Sequence, residues 1–323
     1  MKRFGKIVVC TLIALSCTSL IFAKGSADSG TKEKKFVIGM AQCNLGEPWR
    51  VAMNAQIAAA AKNYPMFEVI FSDAAQDNSK QIADIENFIQ MRVDLLITSP
   101  NEAKPLTNVI KRAYEAGIPV ILLDRKIEGD TYTQFIGADN TLIGRECGKY
   151  VAQTLLPNGG NICEIKGLEG TSGGIERDKG FREGIKVNPK CKIIAANNAD
   201  WLREKAITIA EEMLQAHEKI DLFFCLNDPM AEGAYIAAKN AGREKDMLFV
   251  GVDGLPTPDG GIKSVMDGRL SLSMIYPTGG KEAIESAYAL LVEGKKLDKI
   301  ITLGTQTITP DNAARLYKEM GGK

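Results

Sequence analysis

Residues Asp94 to Arg125 read DLLITSPNEAKPLTNVIKRAYEAGIPVILLDR. Two short apolar runs, Asp94 to Thr98 and Ile118 to Leu123, flank a helical stretch from Glu102 to Ala116 that Gly117 stops. A strand, a helix and a second strand in this order form a βαβ unit, whose strands lie parallel with the helix on one face. Outward from it the pattern repeats. Phe36 to Met40 predicts a strand, and Pro48 opens a helix reaching about Asn63, at a first-turn position where its missing N–H does no harm. Phe67 to Phe71 predicts the next strand, and a helix from about Asn78 sets Ile82, Ile85 and Ile89 on one face.

The series continues beyond the length of one domain. Asn161 to Ile165, Lys192 to Ala196, Leu222 to Leu226 and Leu248 to Val252 predict four more strands. The helices between them run about Thr171–Lys186, Trp201–Ala216 and Pro229–Ala241. The expected fold is therefore α/β, with two doubly wound parallel-sheet lobes and a crossover near Gly137-Ala-Asp139. Sheets of this kind take ligands beyond the carboxyl ends of their strands, so two facing lobes share one cleft.

Composition narrows the chemistry. The 323 residues carry 40 basic and 40 acidic side chains, which leaves no basic excess for nucleic acid. The single histidine, His217, ends a helix and reads as structural; histidine triads and multi-histidine metal sites lack their parts. Cys43, Cys147, Cys163, Cys191 and Cys225 match no zinc or CxxC spacing. Cys163, Cys191 and Cys225 sit inside apolar strand-like runs and read as buried thiols, with a Cys163–Cys191 bridge as the alternative. The stretch Gly167 to Gly174 lacks both the P-loop ending and the GxGxxG spacing, and reads as a rim turn. No cofactor, metal or catalytic group is expected, and no enzyme.

The first residues read as an export signal. Lys2, Arg3 and Lys6 precede an apolar run from Ile7 to Phe22, and cleavage after Ala23 leaves a polar spacer over 24–35. A loose lipoprotein box, Ala14-Leu15-Ser16-Cys17, offers the other reading, acylation at Cys17.

The residues just after the strands are informative. They include Asn44, Trp49 and Arg50 after the first, Asp124 and Arg125 after the fourth, then Arg177, Trp201, Asn227 and Asp253 in the second half. A sugar demands this mixture. Each hydroxyl both donates and accepts, so carboxylates, amides and guanidinium forks hold it in a network. An indole packs against the C–H face of the ring. Each residue also has a plainer role. Asp124 and Asp253 fit turns or helix caps, Trp49 and Trp201 fit covers over helix N-termini, and Arg177 fits a solvent pair with Glu176 or Asp178. Asn227-Asp228 before Pro229 is a capping sequence, so one of the two caps.

Several stretches resemble the type I periplasmic sugar-binding proteins, the ribose- and galactofuranose-binding group. They are Ala41 to Arg50, Gly117 to Arg125, Ile136 to Asn140, Lys179 to Arg182, Asn227 to Met230 and Gly251 to Gly254. The resemblance implies a three-crossing hinge, with an N-lobe of 36–138 plus 277–302 and a C-lobe of 139–276 plus 303–323. It implies ligand contacts at Trp49, Arg50, Asp124, Arg125, Arg177, Trp201, Asn227 and Asp253, with Asp124 and Arg125 as an acceptor–donor pair for adjacent hydroxyls. It also implies a monomeric, exported receptor that clamps one monosaccharide and serves an ABC-type permease, or alternatively a membrane sensor. The chain departs from the group at Met274-Ile-Tyr276-Pro277, where many members carry Gln or Glu before the proline. Tyr276 is thus expected to read one ligand hydroxyl differently. No loop has the EF-hand spacing of a calcium site.

Overall fold

Strand and helix alternate from the start of the computed structural model, which describes residues 35–322. The signal read at 1–23, the Cys17 anchor and the spacer up to residue 34 lie outside the described residues. The first half comprises β1 (Phe36–Gln42), α1 (Pro48–Ala61), β2 (Phe67–Asp73), α2 (Asn78–Met91), β3 (Leu95–Thr98), α3 (Ala103–Glu115), β4 (Val120–Leu123) and β5 (Gln134–Ala138). The second begins with α4 (Asn140–Tyr150), β6 (Gly160–Lys166), α5 (Ser172–Gly184), β7 (Cys191–Asn198) and α6 (Arg203–Ala216). It continues through β8 (Leu222–Cys225), α7 (Asp228–Asn240), β9 (Leu248–Val250), α8 (Gly261–Met266) and β10 (Ser273–Met274). The tail adds α9 (Gly280–Leu291), β11 (Ile300–Leu303), β12 (Thr307–Ile308) and α10 (Ala313–Glu319).

Every strand and helix that periodicity predicted is present, with ends shifted by a few residues. The first sheet has the order β11-β5-β4-β3-β1-β2 and is parallel throughout; Ile38 lies between Val69 and Leu95. The second, β7-β6-β8-β9, is also parallel. Successive side chains of a strand face opposite sides. Leu95 and Ile97 accordingly pack with Met53 and Ile57 of α1 and Ile284 of α9, while Leu96 packs with Phe88 of α2 and Leu106 of α3. Burying one such side chain stabilises the fold by roughly 1.5–3 kcal/mol. A central strand covered on both faces therefore has to be an uninterrupted apolar run.

The chain passes between the lobes three times: after Ala138, between Met274 and Gly280, and between Leu303 and Thr307. On its return α9 packs against α1, and β11 joins the first sheet beside β5, pairing Ile301 with Ile136. Then β12 pairs antiparallel with β10, and α10 packs on α8. The five cysteines are free and buried. The Cys163–Cys191 alternative is set aside by register, because Cys163 faces Ala195 while Cys191 faces Gly160. At about 3.3 Å per residue the two thiols lie too far apart along the strands to bridge.

Candidate functional site

The wall built by the first lobe begins with Arg50 on the opening turn of α1 and Asp124 just past β4. Arg50 Nη2 lies 2.6 Å from Asp124 Oδ2, and Arg50 Nη1 donates to Ser99 Oγ at 2.8 Å. Both charged groups are almost fully buried. Burial alone would neutralise Asp124, but Arg50 and Arg125 outweigh it and hold the carboxyl below the usual range. Arg125 donates to the carbonyl of Asn101 at 2.8 Å. Glu47 completes this wall, 5% exposed, with Arg50 at 3.8 Å and Arg125 at 4.0 Å. Asn44 stands behind the wall rather than on it, donating to Glu47 Oε1 at 2.8 Å.

The second lobe's wall depends on two close backbone approaches. Where α4 crosses α5, a Cβ on Gly144 would lie 2.1 Å from the Arg177 carbonyl, and one on Gly180 would lie 2.2 Å from that of Thr141. Glycine at these positions lets the helices touch, which brings Asn140 Oδ1 within 2.7 Å of Arg177 Nη2. Arg177 also donates to the Leu226 carbonyl and is buried, unlike the solvent pair its neighbours suggested. The second approach is at Gly167, where a Cβ would meet the Trp201 ring at 2.1 Å. The glycine-rich turn is therefore the bed of this indole. Trp201 is itself left-handed, at φ 71°, and its Nε1 has no hydrogen-bond partner among the described residues. Asn227 caps α7 through Oδ1, which accepts from Met230 N at 3.0 Å; its Nδ2 donates to the Trp201 carbonyl at 3.1 Å.

Asp253 differs from the other charged groups. It is 6% exposed, and its carboxylate accepts no hydrogen bond among the described residues. Burial first, and then the nearby Asp228 carboxylate, push it well above the usual carboxylate range. Asp228 itself is pushed by burial to about 6, even though Ser273 Oγ and Gly254 N donate to it at 2.7 Å each.

The walls meet on one enclosed space of about 20 Å³, lined by Glu47, Trp49, Arg50, Asp124, Arg125, Gly173, Arg177, Trp201, Asn227, Asp253 and Tyr276. Nine of the ten residues expected from the sequence converge here, and Asn44 is the exception. Glu47 is the wall residue that sequence reading did not single out. Standing before Pro48 it passes for a helix-entry residue, and only its place between a strand end and Trp49-Arg50 marks it. The space has room for about one water, so any larger ligand enters only when the walls part. A larger groove of about 570 Å³ lies behind Asp253 and Tyr276, between α1 and Pro256. Its lining mixes Ala59, Ala60, Leu255 and Pro256 with Gln56, Asn63, Lys281 and Glu285, whereas the residues after the strands of both sheets converge on the smaller space, where sheets of this kind take ligands.

Residues 38–296 match the family described as the periplasmic binding protein domain. The chain is 33% identical to a ribose import binding protein of Bacillus subtilis (strain 168), over 93% of this chain and 96% of that one. Among solved structures it is similar to the fructose-binding periplasmic domain of a hybrid two-component system. The TM-score is 0.85 and the identity 43%, covering 88% of this chain and 94% of that one. A galactofuranose-binding protein superposes with TM-score 0.83 at 29% identity, covering 88% and 98%.

Proposed function

The chain belongs to the periplasmic binding protein family, and from its site we infer an exported receptor that closes two lobes around one neutral monosaccharide. The observation that carries this reading is the mixture of donors and acceptors around the space. The guanidinium groups of Arg50, Arg125 and Arg177 face the carboxyl groups of Glu47, Asp124 and Asp253. Hydroxyls both donate and accept and so suit planar groups of both kinds, whereas a phosphate or carboxylate offers acceptors alone and leaves the carboxyl groups unmatched. The relatives' names support the same class, and 43% identity to a fructose-binding domain makes fructose the first sugar to test.

The receptor holds the sugar and returns it unchanged. The lobes divide near residues 138/139, 276/277 and 302/303; the place of β11 in the first sheet and the packing of α9 on α1 support this hinge. Delivery to an ABC-type permease follows the ribose import relatives, and family membership supports a place outside the cytoplasm. One observation favours a sensory role as the second reading: the 43%-identical structure comes from a two-component system. A thermal-shift screen over neutral monosaccharides tests the main proposal, since a ligand bound only by the folded state raises the melting temperature. One sugar is expected to raise it and to survive incubation unchanged by NMR. No shift with any sugar overturns the ligand class, and turnover overturns the receptor.

A further inference from the structure

Tyr276 stands where the chain makes its second pass between the lobes, and it is 4% exposed. Its ring is stacked on Trp49, with centroids 5.1 Å apart and planes at 25°, and the Arg177 guanidinium lies 4.8 Å from its centroid. Trp49 Nε1 donates to the Tyr276 carbonyl at 2.8 Å, which fixes the pair. With one face against an indole and a guanidinium close to the ring, Tyr276 does not serve as a stacking platform for a sugar.

Its hydroxyl is equally committed. A phenol has one proton to donate. Here that proton goes to Asp124 Oδ1 at 2.5 Å, while Asn140 Nδ2 donates to the phenol oxygen at 3.2 Å. The other oxygen of Asp124 is taken by Arg50 at 2.6 Å and Ser99 at 3.4 Å. Asp124 belongs to the first lobe's wall and Asn140 opens α4 of the second. A hydroxyl between an acceptor on one lobe and a donor on the other is the arrangement the site offers a sugar, and here the protein supplies that hydroxyl itself.

We infer that Tyr276 determines the specificity of the cleft: its hydroxyl fills the place of a ligand hydroxyl between Asp124 and Asn140, so the sugar turns a hydroxyl-free edge to that corner. This rests on the monosaccharide reading above. A sugar hydroxyl forced against the corner loses water and finds its partners already engaged. Sites without a free partner reject an added hydroxyl by up to about 100-fold. Replacing Tyr276 by Phe frees Asp124 Oδ1 and Asn140 Nδ2 together, leaving an acceptor and a donor for a hydroxyl that the wild type rejects.

Calorimetry of wild type and Tyr276→Phe over one panel of aldoses, ketoses, their epimers and deoxy analogues tests the inference. The expected result is a change of rank order. Sugars that differ from the best wild-type ligand by an added hydroxyl at one position gain about tenfold or more relative to it in Tyr276→Phe. Pairs differing at other positions keep their ratios. A uniform change across the panel, or none, overturns the role given to Tyr276 and leaves the monosaccharide reading standing. Failure of the wild type to bind any sugar overturns both. Should Tyr276→Phe not fold, Tyr276→Leu removes the same phenol without supplying a new donor or acceptor and must reorder the panel at a single position.

Discussion

The two walls of the cleft carry similar residues in opposite electrostatic states. On the first-lobe side Asp124 has both oxygens engaged, by Tyr276 on one and by Arg50 and Ser99 on the other. On the second-lobe side Asp253 is equally buried yet accepts no hydrogen bond, and Trp201 Nε1 lacks a partner. The first wall leaves only Arg50 Nε without a partner among its charged groups, whereas on the second the Asp253 carboxyl and the Trp201 indole N–H are both unpaired among the described residues. Groups already paired contribute little new free energy on binding, while unpaired buried groups gain a full hydrogen bond. The two aspartates, alike in sequence as residues after a strand, therefore differ in state, and under the proposed function Asp124 assembles the site while Asp253 is the acceptor proposed for the sugar.

Asp124→Ala is the sharpest way to break this contrast. It leaves the Arg50 guanidinium buried without its main counter-ion, and losing one partner of a buried pair costs about 3–5 kcal/mol. A large fall in melting temperature without sugar is expected, which would give Asp124 a structural role beside the acceptor role expected from the sequence. A variant as stable as the wild type would show that the first wall is not held by this pair.

Asp253→Asn should do the reverse. The amide cannot ionise and so spares the buried position any charge, and stability without sugar holds or rises. Charge-assisted hydrogen bonds to the ligand are worth about 1.5–3 kcal/mol, so calorimetry should show affinity falling roughly 10- to 100-fold. Unchanged affinity would remove Asp253 from the site.

Much of this was legible beforehand, for identifiable reasons. Strands β1, β3, β4 and β8 are buried on both faces and had to be continuous apolar runs. By contrast β10 and β12 have two residues each, too few to show any period. Short β5, Gln134 to Ala138, has no alternation to read. The site residues stood out because strand ends define the cleft edge. Their pairing did not, because Asp124 meets Tyr276 across 152 positions only through the return of the chain between the lobes. Asn140 and Glu47 stayed hidden because their partners are distant: Asn140 meets Arg177 of another helix, and Glu47 faces Arg125 of a later strand end besides its neighbour Arg50.

The walls should also differ in their response to pH. Asp228 is raised to about 6 and Asp253 is raised as well, so the folded protein binds more protons than the unfolded chain above about pH 4. Their contribution to stability is therefore present at low pH and lost as pH rises, for Asp228 through about 6. Glu164, buried in β6 and raised to about 8 by burial, adds the same sign up to that pH. Asp124 is lowered, so its contribution is present above about pH 4 and lost below it. Melting temperatures without sugar, measured from pH 4 to pH 7, should decline by a few degrees more in the wild type than in Asp253→Asn. Parallel curves would refute the assignment of opposite signs to the two walls.

The smallest effects belong to the seam on which the walls close. Opposite the hinge, Ala103 N donates to the Gly170 carbonyl at 3.2 Å, Lys126 N to Ser172 Oγ at 2.9 Å, and Gln76 Nε2 to the Asp200 carbonyl at 2.9 Å. Lys126 Nζ lies 2.7 Å from Glu176 Oε1, with 41% and 30% of these side chains exposed. These bonds join the lobes without lining the enclosed space, so they favour closure whatever sugar is bound. Solvent-exposed ion pairs contribute about 0.2–1 kcal/mol and are screened by salt. Glu176→Gln should therefore weaken affinity about two- to fivefold at low ionic strength, through faster dissociation, and lose that effect at high ionic strength. Ser172→Ala removes a neutral hydrogen bond, and a comparable change should persist at both. Stopped-flow measurement of tryptophan fluorescence on sugar release separates the two. If Glu176→Gln keeps its effect in high salt, or Ser172→Ala leaves dissociation untouched at either ionic strength, closure is governed by the two walls alone and the seam has no part in it.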